Sequence, residues 1–385
     1  MTKKKRVLFV IDTLNCGGAE KSLVSLLSLL HYEYLDVSLS IVRRGGSLEH
    51  NLSSRVHLLP FPEPPRICRF LSNVLFSGTR RLISLLGIHR HGAEIGWLCK
   101  RPFYPAFNGL FDIAIAYQQG FPTYYVADKV HAGKKYAWIN TDLKNAGYRV
   151  RFNRPFYDKM TRVLAVSQAL CEILPSSGFV DKEKLSLVKD VLNVNLIREL
   201  STASVDFSFG PGRLKLLTVG RIVPPKNYPL AVETARLLHD KGFDFEWLFI
   251  GDGPDRNSIE NKIKNLALGD RILLIGQQTN PYPYFAQCDI YVQTSSFEGF
   301  GLTLSEAKIL HKPIVTTNFP SAYDQIVDGE NGLIAEMTPK SVAEKIIRLI
   351  ENPALKNRLI ENTRREENRT AETESEKVNR LLLED

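Results

Sequence analysis

The sequence predicts an α/β protein of two doubly wound parallel-sheet domains. Three observations predict it. The chain has 385 residues, too many for one ordinary hydrophobic core and enough for two. Short runs rich in β-branched and aromatic residues alternate with longer runs whose apolar residues recur at helical spacing. Strands separated in this way by helices need crossover connections, which make a sheet parallel and cover both its faces.

Taken in order, "MTKKKRVLFVIDTLNCGGAE" begins like a signal peptide, but Asp12 interrupts the apolar run and no small-residue cleavage site follows. Val7 to Ile11 is therefore read as a strand, and Gly17 and Gly18 as the turn into a helix whose free N–H groups and positive dipole end suit an anion. A glycine pair at such a turn also serves steric need alone. "DVSLSIVRR", "VHLLPF", "FDIAIAY", "KKYAWIN" and "RVLAVS" continue the first set of strands. "RLKLLTVG", "FEWLFIG", "RILLIG", "DIYVQTS", "KPIVTTN" and "NGLIAE" form the second, with helices over "YPLAVETARLLHDKG", "RNSIENKIKNLALG" and "LTLSEAKILHK" between them. The polar, glycine-bearing segment 201–213 reads as the linker, which divides the chain into domains 1–200 and 201–365. Residues 366–385 form a charged helical tail in which Val378, Leu381, Leu382 and Leu383 offer a surface for docking back on the first domain.

The net charge of +8 is uneven: through residue 190 there are 27 Lys and Arg against 15 Asp and Glu, or +12, and beyond it 23 against 27, or −4. Basic charge suits nucleic acid, anionic lipid or phosphorylated substrates. With no zinc-finger spacing and no aromatic RNA-binding signature, charge is all that speaks for nucleic acid, which is not expected as a partner. Five scattered cysteines fit neither a disulfide framework nor a zinc site and suit a reducing cytoplasm. No apolar run approaches the roughly 20 residues that span a bilayer. Residues 66–107 nevertheless interleave Arg66, Arg69, Arg80, Arg81, Arg90, Lys100 and Arg101 with aliphatic and aromatic residues, a mixture suited to the surface of an anionic membrane and equally to an ordinary amphipathic helix.

Open parallel sheets bind ligands beyond the carboxyl ends of their strands. At two such ends the second half places chemistry. Arg221 and Lys226 in "VGRIVPPKN" lie just ahead of a helix, a planar fork and a point charge that together suit a diphosphate, or else ordinary surface charge. In "SSFEGFGLTLSEAK", Glu298 falls in a loop and Glu306 just over one turn into the following helix. Carboxylates grip paired sugar hydroxyls, and the backbone N–H groups of Gly299, Phe300, Gly301, Leu302 and Thr303 are free to hold phosphate. Two carboxylates also serve glycosidases, at separations of about 5 to 9 Å, but that reading leaves Arg221, Lys226 and the glycine turns without a task. "GDGP" at 251–254 is read as structural, its glycines making room for neighbouring loops.

"GRIVPPKN", "GDGP", "FAQCDIYVQTSSFEGFGLTLSEAKILHKPIVTTN" and "IVDGENGLI", preceded by "GGAEKSLVSLL", "WINTD", "AVSQAL" and "NVN", resemble family 4 glycosyltransferases of the bacterial surface-polysaccharide type, whose hallmark is Glu, seven residues, Glu. The resemblance covers most of the chain and is strongest over 214–336. It implies the GT-B fold, two Rossmann-like domains facing each other across a cleft that holds the donor. It implies transfer of a sugar from a nucleotide-diphosphate donor, with retention and with neither metal nor cofactor, to a glycan or an undecaprenyl-diphosphate-linked acceptor. The enzyme would be cytoplasmic and peripheral on the inner face of the plasma membrane. Carried over, Arg221 and Lys226 hold the diphosphate, Glu306 the ribose and Glu298 the donor sugar, with Glu298, Arg221 and Lys226 catalytic. Gly17, Gly18 and the backbone of Phe300 to Thr303 assist at the phosphates. No Asp-x-Asp pair occurs, in agreement on metal. Where many relatives carry a histidine that faces the transferred sugar, this chain has Asn140, which hydrogen-bonds but does not change charge; His131 lies nearby in sequence. A nucleotide-sugar epimerase of the same fold and a basic nucleotide-binding or nucleic-acid-binding protein are the alternatives.

Overall fold

The computed structural model describes residues 3–15, 17–87, 90–207 and 209–384. Cys16, residues 88–89 of the basic stretch, Ser208 of the expected linker and Asp385 of the tail lie outside the described residues. The chain divides into two compact units, one formed by Met1–Val191 with Glu374–Asp385 and the other by Leu192–Thr373.

The first unit contains β1 (Lys5–Ile11), β2 (Leu35–Ile41), β3 (His57–Leu59), β4 (Leu110–Ala116), β5 (His131–Ile139), β6 (Arg162–Ala165) and β7 (Leu185–Leu187). They form one sheet in the order β3-β2-β1-β4-β5-β6-β7, and every pairing is parallel. Residues Val7 to Ile11 are wholly buried, as expected of a strand covered on both faces. β7 is not foreseen in the sequence: it is a three-residue edge strand, half-buried throughout, with too short a pattern to announce itself.

The second unit contains β8 (Leu214–Val219), β9 (Phe245–Ile250), β10 (Ile272–Leu274), β11 (Ile290–Gln293), β12 (Ile314–Thr317) and β13 (Leu333–Ala335), again all parallel, in the order β10-β9-β8-β11-β12-β13. All six are expected from the sequence, and β9, buried at every position, is the centre of a core that includes Leu216, Trp247, Phe249 and Ile346. The division between units falls at Val191, ahead of the 201–213 segment. The reason is the Val194–Ser201 helix, which Asn193 caps by accepting from the Leu196 N–H at 3.0 Å and which packs on the Tyr282–Gln287 and Leu302–Ile309 helices of the second unit.

The last helix, Pro353–Leu383, ends in the first unit with Val378, Leu381 and Leu382 buried there. Asn379 fixes its position by accepting from the His31 N–H at 2.9 Å and donating to the Leu29 carbonyl at 3.1 Å.

Near the division, burial pushes the Asp190 carboxyl up to about 7, offset in part by a hydrogen bond from Ser22. A carboxyl whose folded value lies above its ordinary one gives stability that is complete at low pH and is lost as pH rises through about 7. Asp190→Asn is therefore expected to gain on the wild type as pH rises, by about 3 kcal/mol more at pH 8 than at pH 5 in paired urea titrations. An offset independent of pH would contradict this assignment.

Candidate active site

The switch point of the second sheet lies between β8 and β11, neighbours whose onward connections run to opposite sides, and crevices form outside the carboxyl ends of such strands. The loops after β8 and β11 carry the residues singled out in the sequence. After β8, residues Pro224–Lys226 form a 3₁₀ turn, and Asn227 in the left-handed region (φ 49°) redirects the chain into the Tyr228–Asp240 helix. Two backbone glycines support this loop. A methyl group on Gly251 would lie 1.9 Å from the Gly220 carbonyl oxygen and one on Gly253 2.2 Å from that of Ile222, so the "GDGP" turn does make room for its neighbour. The two loops are also tied to each other: Ser296 N–H donates to the Pro225 carbonyl at 2.8 Å and Thr294 Oγ1 to that of Lys226 at 3.2 Å.

These ties bring Lys226 Nζ to 2.5 Å from Glu298 Oε1. The same oxygen accepts from Ser295 Oγ at 2.6 Å and Gln293 Nε2 at 2.9 Å. Gln293 is itself held by Thr303 Oγ1, which donates to its side-chain Oε1 at 3.0 Å. Three donors on one oxygen fix the Glu298 carboxylate and, among the described residues, leave its Oε2 for a ligand. The pair is part-exposed, so its worth to folding is small and Lys226 is available to exchange its partner for phosphate. Arg221 is exposed and makes no ion pair among the described residues.

Glu306 is placed differently from Glu298. It lies in the Leu302–Ile309 helix and is fully buried, with Tyr282 Oη donating to its Oε1 at 2.9 Å. Glu306 thus lies deeper than Glu298, whose side chain keeps 13% of its surface accessible. Gly301, with φ 89°, starts the helix, and Gln325 Nε2 clamps the loop by donating to the Phe300 carbonyl at 2.6 Å. Among the described residues, no protein acceptor takes the backbone N–H groups from Gly299 to Leu302.

In the first unit, Gly17 and Gly18 open the Gly18–Ser28 helix after β1, next to the switch point between β1 and β4. Burial raises the pKa of Glu20 there, whose carboxylate accepts from Gln118 at 3.3 Å and Thr13 at 3.4 Å. Asn140 follows the carboxyl end of β5 and donates to the Tyr117 carbonyl at 3.2 Å. His131 is exposed at the opposite, amino end of β5, about 30 Å away at 3.3 Å per residue, which separates it from Asn140 and from the glycine turn. Sequence reasoning missed Gln293, Ser295, Tyr282 and Gln325. Gln293 and Ser295 were legible as polar residues two apart at a strand end; Tyr282 and Gln325 reach the site from separate elements and carry no local signal.

Residues 204–366 match the family model of glycosyl transferases group 1. CapM of Staphylococcus aureus, a capsular polysaccharide biosynthesis glycosyltransferase, is 29% identical over 218 residues, 53% of this chain and 56% of that protein. The N-acetylgalactosamine-N,N'-diacetylbacillosaminyl-diphospho-undecaprenol 4-alpha-N-acetylgalactosaminyltransferase of Campylobacter jejuni is 27% identical over 184 residues, 47% of this chain and 48% of that protein. The chain thus spans about half the length of the curated relatives it matches. HepE of Anabaena, solved with UDP and glucose, superimposes with a TM-score of 0.73 at 16% identity over 98% of this chain and 99% of that one. Residues 204–366 are thus similar to the glycosyl transferases group 1 family, and the two parallel-sheet units have the GT-B fold.

Proposed function

We propose that the protein is a retaining, metal-independent glycosyltransferase that moves a sugar from a nucleotide-diphosphate donor to a glycan or lipid-linked acceptor in bacterial surface-polysaccharide synthesis. The observation that carries this reading is the Lys226–Glu298 pair at the β8/β11 switch point, a cation for the diphosphate beside a carboxylate for the sugar. Arg221 and the N–H groups of Gly299 to Thr303 add positive potential where negative charge grows on the departing diphosphate. Glu306 takes the ribose, and the departing phosphate itself receives the acceptor's proton. In the first unit, the helix start at Gly17 and Gly18 suits a phosphate, and Asn140 suits a sugar hydroxyl. The names of the Staphylococcus and Campylobacter relatives support a polysaccharide or undecaprenyl-diphosphate-linked acceptor. Mixing donor and acceptor and following the anomeric proton by NMR tests retention; an inverted product, or activity lost with EDTA and restored by magnesium, would overturn the corresponding part.

The enzyme works at the inner face of the plasma membrane, bound peripherally. No helix among the described residues is long and apolar enough to cross a membrane. The Arg66–Leu85 helix instead turns its apolar side outward: of its twenty residues Ser72 alone is buried, whereas Ile67, Phe70, Leu71, Val74, Leu75, Leu82 and Leu85 are exposed. They recur every three or four positions and so form a stripe, with Arg66, Arg80 and Arg81 alongside and no acidic residue in the helix. Each such cation near an anionic leaflet contributes about 1 kcal/mol. Wild-type protein is expected to sediment with vesicles containing phosphatidylglycerol at low salt, less so at high salt, and weakly after Arg80→Glu with Arg81→Glu. Failure of the wild type to bind at low salt would remove the membrane surface and favour a soluble acceptor.

A further inference from the structure

We propose that Gln293 is a positioning residue of the transfer reaction: its side-chain amide holds the Glu298 carboxylate in place when Lys226 leaves that carboxylate for the donor diphosphate. The inference rests on the reading of Glu298 as the carboxylate for the donor sugar and of Lys226 as the cation for the diphosphate. Strand geometry puts the amide there. Gln293 is the last residue of β11, in register with Thr316 of β12, and 3% exposed. Side chains alternate along a strand, so Ile290 and Val292 enter the core while Tyr291 and Gln293 share the other face. An amide buried at the end of so apolar a run costs stability unless its hydrogen bonds are made.

All of them are made, and all within the site. A glutamine amide offers two N–H donors and one oxygen with two lone pairs. Nε2 donates to Glu298 Oε1 at 2.9 Å and to Ser295 Oγ at 3.3 Å. Oε1 accepts from Thr303 Oγ1 at 3.0 Å and from Tyr291 Oη at 3.3 Å. The partners dictate this orientation. A carboxylate only accepts, so the nitrogen faces Glu298, and burial keeps the Tyr291 pKa well above its usual value, so that its hydroxyl stays a donor toward the oxygen. Turning the amide over would set acceptor against acceptor at Glu298 and donor against donor at Tyr291. Ser295 closes a triangle, accepting from Gln293 and donating to Glu298 Oε1 at 2.6 Å.

The third donor on Glu298 Oε1 is Lys226 Nζ, on a part-exposed side chain, and this is the donor that a diphosphate draws away. Ser295 and Gln293 then hold the carboxylate between them. Gln293 is braced from behind by Thr303, in the first turn of the Leu302–Ile309 helix, and by Tyr291 in the sheet, so it ties Glu298 to the same helix start that offers N–H groups to phosphate. A buried network with every member satisfied keeps one geometry. At a reacting sugar that matters, since a misplacement of about 1 Å costs up to about 10²-fold in rate. The core has no need of an amide at this position. The carboxylate has.

Gln293→Met, close in volume and without the amide, tests the assignment in the full chain by UDP calorimetry, by transfer kinetics with the nucleotide sugar that most stabilises the wild type, and by crystallography. UDP affinity is expected to stay within about threefold of wild type while kcat falls about tenfold or more. In a Glu298→Gln background the same change is expected to cost less than about twofold, because Gln293 acts through that carboxylate; a merely structural role would lower both backgrounds alike. Crystals of the variant should show the Glu298 carboxylate displaced by about 1 Å or more, or in two conformers. Thr303→Val, which removes one brace at a part-buried position, should give the same split between UDP affinity and kcat in smaller measure, and stands in if the methionine variant does not fold. A kcat within about threefold of wild type, equal losses in both backgrounds, or an unmoved Glu298 would overturn the inference. A wild type that binds neither UDP nor any nucleotide sugar would count against the donor reading instead, and the place of Glu298 in ligand-free crystals would then decide the role of Gln293.

Discussion

Lys226→Ala is expected to lose about 10²- to 10³-fold in turnover while melting close to the wild type. The magnitude follows from removing one preorganised charge from the place where the diphosphate gains charge in the transition state, a loss of about 3 to 4 kcal/mol. The small effect on folding follows from exposure: the Lys226 side chain is 22% accessible, and its ion pair with Glu298 adds little to stability in that setting. Glu298 keeps two neutral donors, Ser295 and Gln293, after the lysine is gone, so the carboxylate is not stranded. Arg221→Ala should fall in the same direction with still less effect on folding, because its side chain is exposed. Turnover within about threefold of wild type in both variants would correspond to less than 1 kcal/mol of barrier and would contradict the assignment.

Glu306→Gln is expected to weaken UDP by about 10- to 100-fold, whereas Glu298→Gln should leave UDP affinity nearly unchanged and reduce sugar transfer. The contrast comes from depth. Glu306 is fully buried beneath the loop that runs into its helix, held by the Tyr282 hydroxyl. A hydrogen bond between a charged acceptor and a ribose hydroxyl is worth about 1.5 to 3 kcal/mol, and glutamine keeps the shape while removing the charge. Glu306→Ala would add a different loss, since it leaves the buried Tyr282 hydroxyl without this acceptor, so the amide variant is the cleaner comparison. Equal UDP affinity in wild type and Glu306→Gln, by calorimetry, would remove the ribose role.

Much of the second unit was legible because its strands are buried on both faces and announce themselves as short, mainly apolar runs, "FEWLFI" with its single Glu246 among them. One short edge strand was harder. β7, "LSL", is half-buried and three residues long, and the division between units falls ahead of the polar, serine- and glycine-bearing segment because the capped helix before that segment already belongs to the second unit. At the site, residue types and strand-end positions gave Arg221, Lys226, Glu298 and Glu306, since those depend on local sequence. The depth of Glu306 did not follow, nor did its tyrosine partner, because both depend on how the Tyr282–Gln287 helix packs. His131 illustrates the limit of closeness in sequence: nine residues of extended strand carry it to the far end of the sheet from Asn140.

The central claim is that the second unit holds a nucleotide-diphosphate sugar through Lys226 and its neighbours. Thermal unfolding in the presence of a panel of nucleotide sugars tests it most directly, since a ligand at a hundred times its dissociation constant adds about 2.7 kcal/mol of stability. The account predicts that at least one donor raises the melting temperature of the wild type, that Lys226→Ala loses most of that shift, and that the same donor, incubated alone, is hydrolysed only slowly. A panel that leaves the wild type unmoved, or a donor converted to its isomer without acceptor, would contradict it.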